Sequence, residues 1–517
     1  MIKKTALFLG LIALSFSNYA QEKIDINLIK SNLVTEARRG TFLVNTVSDE
    51  NGGVVVLKAV QNTLGLYIKS YIIERYDSDL KLIKKVSIPN KMTQRINNMY
   101  VKDDVLYLIK QQVSKKIGFQ FFGMSAAIKD LKFKTKLLYT LARDKANRVV
   151  NAPFSQRIDN DGFGGCTLSK NYNFFALSFD LRDKAKKEKH LFLLFDAQMN
   201  KVDEITFVSD ETDRVFKYSD IKVSDKDGTI FLMGVVYENN RIKSKVKNTS
   251  NYHYDLYKLK GTDKTKISIK ESKYFLNWMS MVYNDDSIIL LGFFGNKNLK
   301  HNIGAFRYDL TEDLTIKNKS LKLFPNQLFS DRCSKCKDLK ASKKKLTNLT
   351  IRSIYVDDNQ NAVINAEQFY IKYTYGKNGE ITKTTYHYDD IVTLKFDNKG
   401  KILWARNINK SQKGVKNTSF SALVANGKNY IFLNAGDKVI ERENDVIAFR
   451  RTSAKKSNLY VIMVDGNGKL KYKKIIDDKE SKVWYVVSSG IANTKEKTII
   501  FEGNKGKLRR LAKIKVD

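Results

Sequence analysis

Cysteine, proline and histidine are scarce in this chain of 517 residues, which has three, three and four of them. Three cysteines cannot form a disulfide framework, so a large apolar core must hold the fold, and 42% apolar residues are ample for one. Pro89 and Pro325 directly follow β-rich runs, and Pro153 is the only other proline. A sheet interior cannot spare the donor that proline lacks, so this placement suits an all-β chain. The histidines (His190, His253, His301 and His387) include no pair at the His-x-x-x-His spacing of zinc hydrolases. A Gly-x-Ser-x-Gly elbow and a phosphate loop ending in Gly-Lys-Ser/Thr are also missing, which leaves an enzyme reading little support. Without a linker rich in Pro, Gly or Ser, a single domain is the simplest account.

Negative charge is short as well, with 92 Lys and Arg against 55 Asp and Glu, a net +37. Charge bears on partners and solubility rather than on fold. An exported protein this basic would meet anionic envelope polymers, extracellular DNA or acidic polysaccharide; the plainer alternative is lysine spread evenly over the surface. Export is expected from the first twenty residues. Lys3 and Lys4 make a charged start, residues 6–14 an apolar run, and Ser17-Asn18-Tyr19-Ala20 a cleavage region. The run is too short for a membrane span, and no cysteine lies near the cut to carry a lipid anchor. The expectation is a signal peptide over 1–20 and one domain over 21–517, periplasmic or secreted, with no membrane span in the mature chain.

A short phrase recurs along the chain: an apolar run, an aromatic residue or Val, then Asp, a polar turn and a second β-rich run. It reads Arg75-Tyr76-Asp77-Ser78, Leu194-Phe195-Asp196-Ala197, Arg307-Tyr308-Asp309-Leu310, Lys395-Phe396-Asp397-Asn398 and Met463-Val464-Asp465-Gly466. Asp, Asn and Gly relieve the backbone where it reverses, so each copy is read as the turn between paired strands. Repetition every few tens of residues, with four short strands per unit, predicts a β-propeller. The units fall near 40–89, 97–141, 162–208, 216–270, 274–323, 347–409 and 418–476. The tail adds three strands, over 484–492, 497–503 and 508–516, and residues 23–31 can supply a fourth. Eight blades closed by an N-terminal strand are expected, with seven the alternative.

The phrase Phe396-Asp397-Asn398-Lys399-Gly400-Lys401-Ile402-Leu403-Trp404 resembles the Asp–Gly–Trp phrase of quinoprotein-type eight-bladed bacterial propellers. The resemblance implies the fold and a Trp404 docked between neighbouring blades. Other copies carry Ile83, Val202 or Tyr472 near that place, and no active-site residue carries over.

Two patterns point to a binding surface. Basic residues gather in the connections between second and third strands: Arg182, Lys184, Lys186, Lys187 and Lys189; Arg241, Lys243, Lys245 and Lys247; Lys297 and Lys300; Arg450, Arg451, Lys455 and Lys456. Equivalent loops of successive blades emerge on one face, so these charges would reinforce one field. In the sixth unit, Tyr370, Tyr373 and Tyr375 precede a Lys377-Asn378-Gly379 turn, and Tyr386 and Tyr388 follow it. Tyr373 with Tyr375, and Tyr386 with Tyr388, keep period two, so each pair shares a face of a β-ribbon suited to sugars or protein surfaces.

Other groups read more plainly. Cys333-Ser334-Lys335-Cys336 lacks the following His of covalent haem and the second pair of a zinc site, leaving a local disulfide or inert thiols. Cys166 reads as a small buried filler. Asp159-Asn160-Asp161-Gly162 and Asp225-Lys226-Asp227-Gly228 read as turn residues, although such loops can take calcium. No other cofactor is expected and no metal ligand is assigned. His190, His253 and His301 stand at or beside third-strand starts, as solvated loop residues or as a cluster converging on one mouth. The favoured function is an exported, non-catalytic propeller binding a macromolecule, an anionic glycan or an envelope protein. The alternative is a metal-assisted hydrolase or lyase at the central mouth, and a third reading is a structural role in an envelope complex.

Overall fold

Four-stranded antiparallel sheets follow one another along the chain, each with its strands paired in sequence order. The computed structural model describes residues 24–37, 40–114, 116–146, 165–181, 185–212, 215–238, 245–246, 249–284, 287–296, 301–332, 344–414, 418–442, 445–449 and 457–517. Sheet one comprises Thr41–Ser48, Val54–Gln61, Ile68–Tyr76 and Leu82–Pro89. Sheet two comprises Gln94–Lys102, Val105–Ser114, Gly118–Ala127 and Lys134–Ala142, and sheet three Gly165–Leu168, Phe174–Asp180, Lys187–Asp196 and Lys201–Thr212. Sheet four is built from Phe216–Val223, Ile230–Tyr237, Tyr252–Lys260 and Asp263–Ile269, and sheet five from Phe275–Asn284, Ser287–Gly295, Gly304–Thr311 and Ile316–Leu323. Sheet six holds Leu349–Val356, Ala362–Tyr375, Ile381–Phe396 and Ile402–Ile408, and sheet seven Phe420–Ala425, Lys428–Ala435, Asn458–Val464 and Leu470–Ile476. In the last principal sheet, Trp484–Tyr485 and Ile491–Asn493 both pair with Thr498–Lys505, which pairs with Leu508–Val516. Ile26–Lys30 pairs antiparallel with that final strand, Ile26 opposite Val516.

The burial of each strand follows its composition. Second strands such as Val54–Gln61 and Ser287–Gly295 are almost continuously apolar and buried, because both of their faces meet another sheet. Fourth strands such as Leu82–Pro89 and Ile316–Leu323 are more exposed. Apolar side chains of each sheet form a shared cluster with those of the next. One further cluster joins Ile500 and Leu511 of the last sheet to Val54, Val56 and Tyr76 of the first. The first strands also meet in series, and Ile491–Asn493 lies against Thr41–Ser48.

The recurring aspartates act as local acceptors. Asp77 Oδ1 takes the N–H groups of Asp79 and Lys81, both at 2.9 Å. Asp397 does the same with Lys399 at 3.0 Å and Lys401 at 2.7 Å, and Asp465 with Asn467 and Lys469, both at 2.9 Å. The third residue after each Asp is left-handed, with φ of 59° at Leu80, 67° at Met199, 80° at Gly400 and 84° at Gly468. One copy is corrected: Asp309 lies inside a strand, bonded to Arg307 and Asn318, and Thr311 makes that turn by accepting the Thr315 N–H at 3.0 Å.

Buried cations of one sheet reach the turns of the next. Arg307 donates to the carbonyls of Gln360 at 2.6 Å and Asp397 at 2.9 Å. Arg406 donates to the Gly468 carbonyl at 2.6 Å, and Lys513 to the carbonyls of Ser78 at 2.7 Å and Gly52 at 3.3 Å. Trp404 is buried in the core shared by sheets six and seven, as the resemblance implied. A Cβ added at Gly468 would come within 2.6 Å of the Trp404 Cβ. The one α-helix among the described residues, α1 (Asn326–Arg332), buries Leu328, Phe329 and Asp331. Among the described residues no helix is long and apolar enough to cross a membrane.

Candidate binding face

Turns between first and second strands of neighbouring sheets touch one another, and one reaches the next sheet but one. Asn51 donates to Asp104 at 3.1 Å, the Asn171 N–H to Asp225 at 2.9 Å, and Lys170 to Asn284 at 2.8 Å. These turns share one face, so in antiparallel sheets the connections between second and third strands share the opposite face. The tyrosine arm and, among the described residues of the predicted basic clusters, Lys186 and Lys245 fall in these latter connections.

Some of the expected residues lie in the described part of that surface. Lys186 and Lys187 are exposed, but Lys187 opens a strand and Lys189 is its third residue, so neither is a loop residue. Lys245 pairs with Ser250 in a short two-stranded ribbon. Arg182, Lys184, Arg241, Lys243, Lys247, Lys297, Lys300, Arg450, Arg451, Lys455 and Lys456 lie outside the described residues. So do Cys333, Cys336, the Asp159–Gly162 loop (159–162) and the first twenty residues.

In sheet six the second and third strands run on past their neighbours as a two-stranded hairpin. Its register sets Phe369 opposite Tyr388, Ile371 opposite Tyr386, Tyr373 opposite Thr384 and Tyr375 opposite Ile381. Residues directly opposite in an antiparallel pair point to the same side, so the two tyrosine pairs merge into one stripe. The stripe is partly buried at its root and bare at its tip, where Tyr373 is 45% and Tyr375 62% exposed. Lys372 and Lys383 occupy the other side. At the root, the Arg352 guanidinium lies 5.3 Å from the Phe369 ring centre and 5.9 Å from that of Tyr388, a cation–π arrangement.

A buried polar network anchors the hairpin. Glu367, fully buried, takes Lys410 at 2.6 Å, Ser419 at 2.7 Å and Arg352 at 2.7 Å. Burial lowers the pKa of Lys410, opposed by Glu367. Burial raises that of Asp390, opposed by Arg332, which sits 3.3 Å away. Asp331 of helix α1 holds Arg406 at 2.7 Å and the Asn407 N–H at 3.0 Å. Sequence reasoning missed this network, whose members are neighbours only after the strands pair.

His190 lies inside a strand and is buried, which corrects its reading as a solvated loop residue, while His253 and His301 are half-buried. His190 is 5% exposed, with Nε2 2.9 Å from Glu188 and 3.8 Å from Asp180. His387 is buried and stacks on Tyr370 at 4.5 Å between ring centres. His253 stands 3.2 Å from both Glu238 and Asp255. Its hydrogen bond to Asp255 raises its pKa against the effect of burial, whereas burial pushes His190 down to about 4. A lowered histidine pKa costs stability as pH falls from the unfolded value of 6.5 through about 4. His253 has the opposite sign: its contribution is full below 6.5 and is lost as pH rises through its raised folded value. A proton NMR titration should therefore show His253 titrating above pH 6.5 and His190 still neutral at pH 5; the reverse order would refute the assignment.

Cys166 is half-buried rather than buried, and desolvation pushes its thiol up to about 12. Asp225 is engaged by Asn171, and Asp227 by Lys260 at 2.5 Å and the Thr229 N–H at 3.1 Å, which is turn chemistry.

No protein-family model matches the chain, and no curated protein matches it in sequence. Among solved structures it is similar to the WD40 domain of SCAP from fission yeast, at 9% identity over 95% of this chain and 98% of that one, with a TM-score of 0.38. Sqt1 of Chaetomium thermophilum, solved bound to the N-terminus of ribosomal protein L10, gives 9% identity, 92% and 98% coverage, and a TM-score of 0.41. The β-propeller domain of the Trilobed protease from Pyrococcus furiosus gives 10%, 81% and 94%, with a TM-score of 0.34. Likeness this distant carries no argument about family or activity. The sheet order carries the class by itself: consecutive four-stranded antiparallel sheets, packed face to face through their cores, are the build of a β-propeller.

Proposed function

We propose that the chain is an exported, eight-bladed β-propeller that binds an acidic polysaccharide on the face bearing its second-to-third-strand connections. The aromatic stripe of the sheet-six hairpin carries this reading: Ile371, Tyr373, Tyr375 and Ile381 stay exposed on one side of a ribbon extending past the sheet. Flat tyrosine rings suit sugar faces, and the lysines of this face suit the acidic groups. The series of first-strand contacts and shared cores supports eight blades, with Ile26–Lys30 closing the last. The charged, apolar and small-residue pattern of the first twenty residues supports export.

Retention on immobilised acidic polysaccharides at low and high salt tests the reading, with wild type beside a Tyr373→Ala, Tyr375→Ala double variant. Wild type should be retained in a salt-sensitive way and the variant several-fold less. Because both side chains are exposed, the variant should keep its stability within about 0.5 kcal/mol. Retention that ignores salt, or a variant equal to wild type, would overturn the proposal. Cleavage of the polysaccharide would instead favour a hydrolase or lyase.

A further inference from the structure

We propose that Asp180, Glu188 and His190 form a site for a divalent transition-metal ion, zinc foremost, at the edge of sheet three. Asp180 ends the second strand directly opposite His190, near the start of the third. Glu188 lies two residues before His190, so the two share a side of their strand. One ligand atom from each of the three residues lies within 4.8 Å of the others. Ligands about 2.0–2.2 Å from one tetrahedral zinc ion stand roughly 3.4 Å apart, and His190 Nε2 lies 2.9 Å from Glu188 and 3.8 Å from Asp180, so side-chain rotations complete the site.

A second observation points the same way. Tyr218, from the first strand of sheet four, is half-buried by residue, yet its hydroxyl is fully buried without a hydrogen-bond partner among the described residues. Its ring centre lies 3.9 Å from that of His190, and its hydroxyl feels the charges of Glu188 and Asp180. A metal-bound water would give that phenol a partner. Asp437, Asp477 and Asp478 come equally close together, but they are more exposed and include no nitrogen ligand. Lys474 already pairs with two of them, at 3.2 Å from Asp437 and 2.8 Å from Asp477. They provide the control. The metal site stands on sheet three alone and does not depend on polysaccharide binding.

The full chain, stripped by a chelator, should take up one zinc ion per molecule by elemental analysis and calorimetry, and its Tm should rise with zinc. Cobalt in its place should give a visible absorption band. Glu188→Gln, close to isosteric, and Asp180→Asn should each weaken zinc binding about tenfold or more. His190→Gln should abolish the cobalt band. His253→Gln and Asp437→Asn should change nothing. Absence of stoichiometric uptake, or uptake that Glu188→Gln leaves intact in a folded variant, would overturn the proposal.

Discussion

Replacing Glu367 by alanine is expected to cost about 3–5 kcal/mol of stability, the penalty of leaving a buried charge without its partner. Glu367 is completely buried, and the Lys410 ammonium bonded to it at 2.6 Å is nearly so. Without the carboxylate, Lys410 keeps only the Tyr388 carbonyl at 3.1 Å and the Gln412 amide oxygen at 3.2 Å. Neutral acceptors compensate a buried ammonium poorly. Ser419 and Arg352 lose the same acceptor, so the damage reaches both the hairpin root and the link to sheet seven. Lys410→Met should cost less, because Arg352 still faces Glu367 at 2.7 Å. The double variant should fall well short of the sum, since neither charge is then stranded. Urea unfolding of the three variants checks this, and a Glu367→Ala loss under 1 kcal/mol would refute it.

Deleting the chain through Ser31 is the second large effect. Ile24 is buried in the core shared with sheet seven, with Ile26 and Leu28 packed against it. At about 1.5–3 kcal/mol per fully buried apolar side chain, losing these contacts should cost on the order of 3–6 kcal/mol. Ser31 also exchanges bonds with Leu511, at 3.0 Å through its N–H and 2.9 Å through its hydroxyl oxygen. The deletion leaves Leu508–Val516 with a bare edge, which invites pairing between copies. Lower Tm and concentration-dependent association are expected, with a synthetic peptide of residues 22–35 restoring both. An unchanged Tm would show that the N-terminal strand closes nothing.

What was legible in the sequence is what adjacent residues decide. The aspartate turns need only their own next four residues, so their places could be read without the fold. Asp309 failed because Thr311, two residues on, supplies the same acceptor from a hydroxyl. Each tyrosine pair was legible by period two, but their common side depended on a register containing two irregularities. The partners of Glu367 stand 15, 43 and 52 residues away, so no window of sequence could gather them. Glu188 and His190 could be paired from spacing, whereas Asp180 required the strand register.

In the turns of the following sheet the clasping cations bind main-chain carbonyls, while the carboxylates that Arg307 and Arg406 also hold, Asp309 and Asp331, lie outside those turns. Arg307, Arg406 and Lys513 thus fix the shape of a turn without reading its side chains. Turn residues other than the capping aspartates and Gly468 can vary provided the backbone keeps its bend. Part of the positive excess is mortar between the walls and is never offered to a ligand.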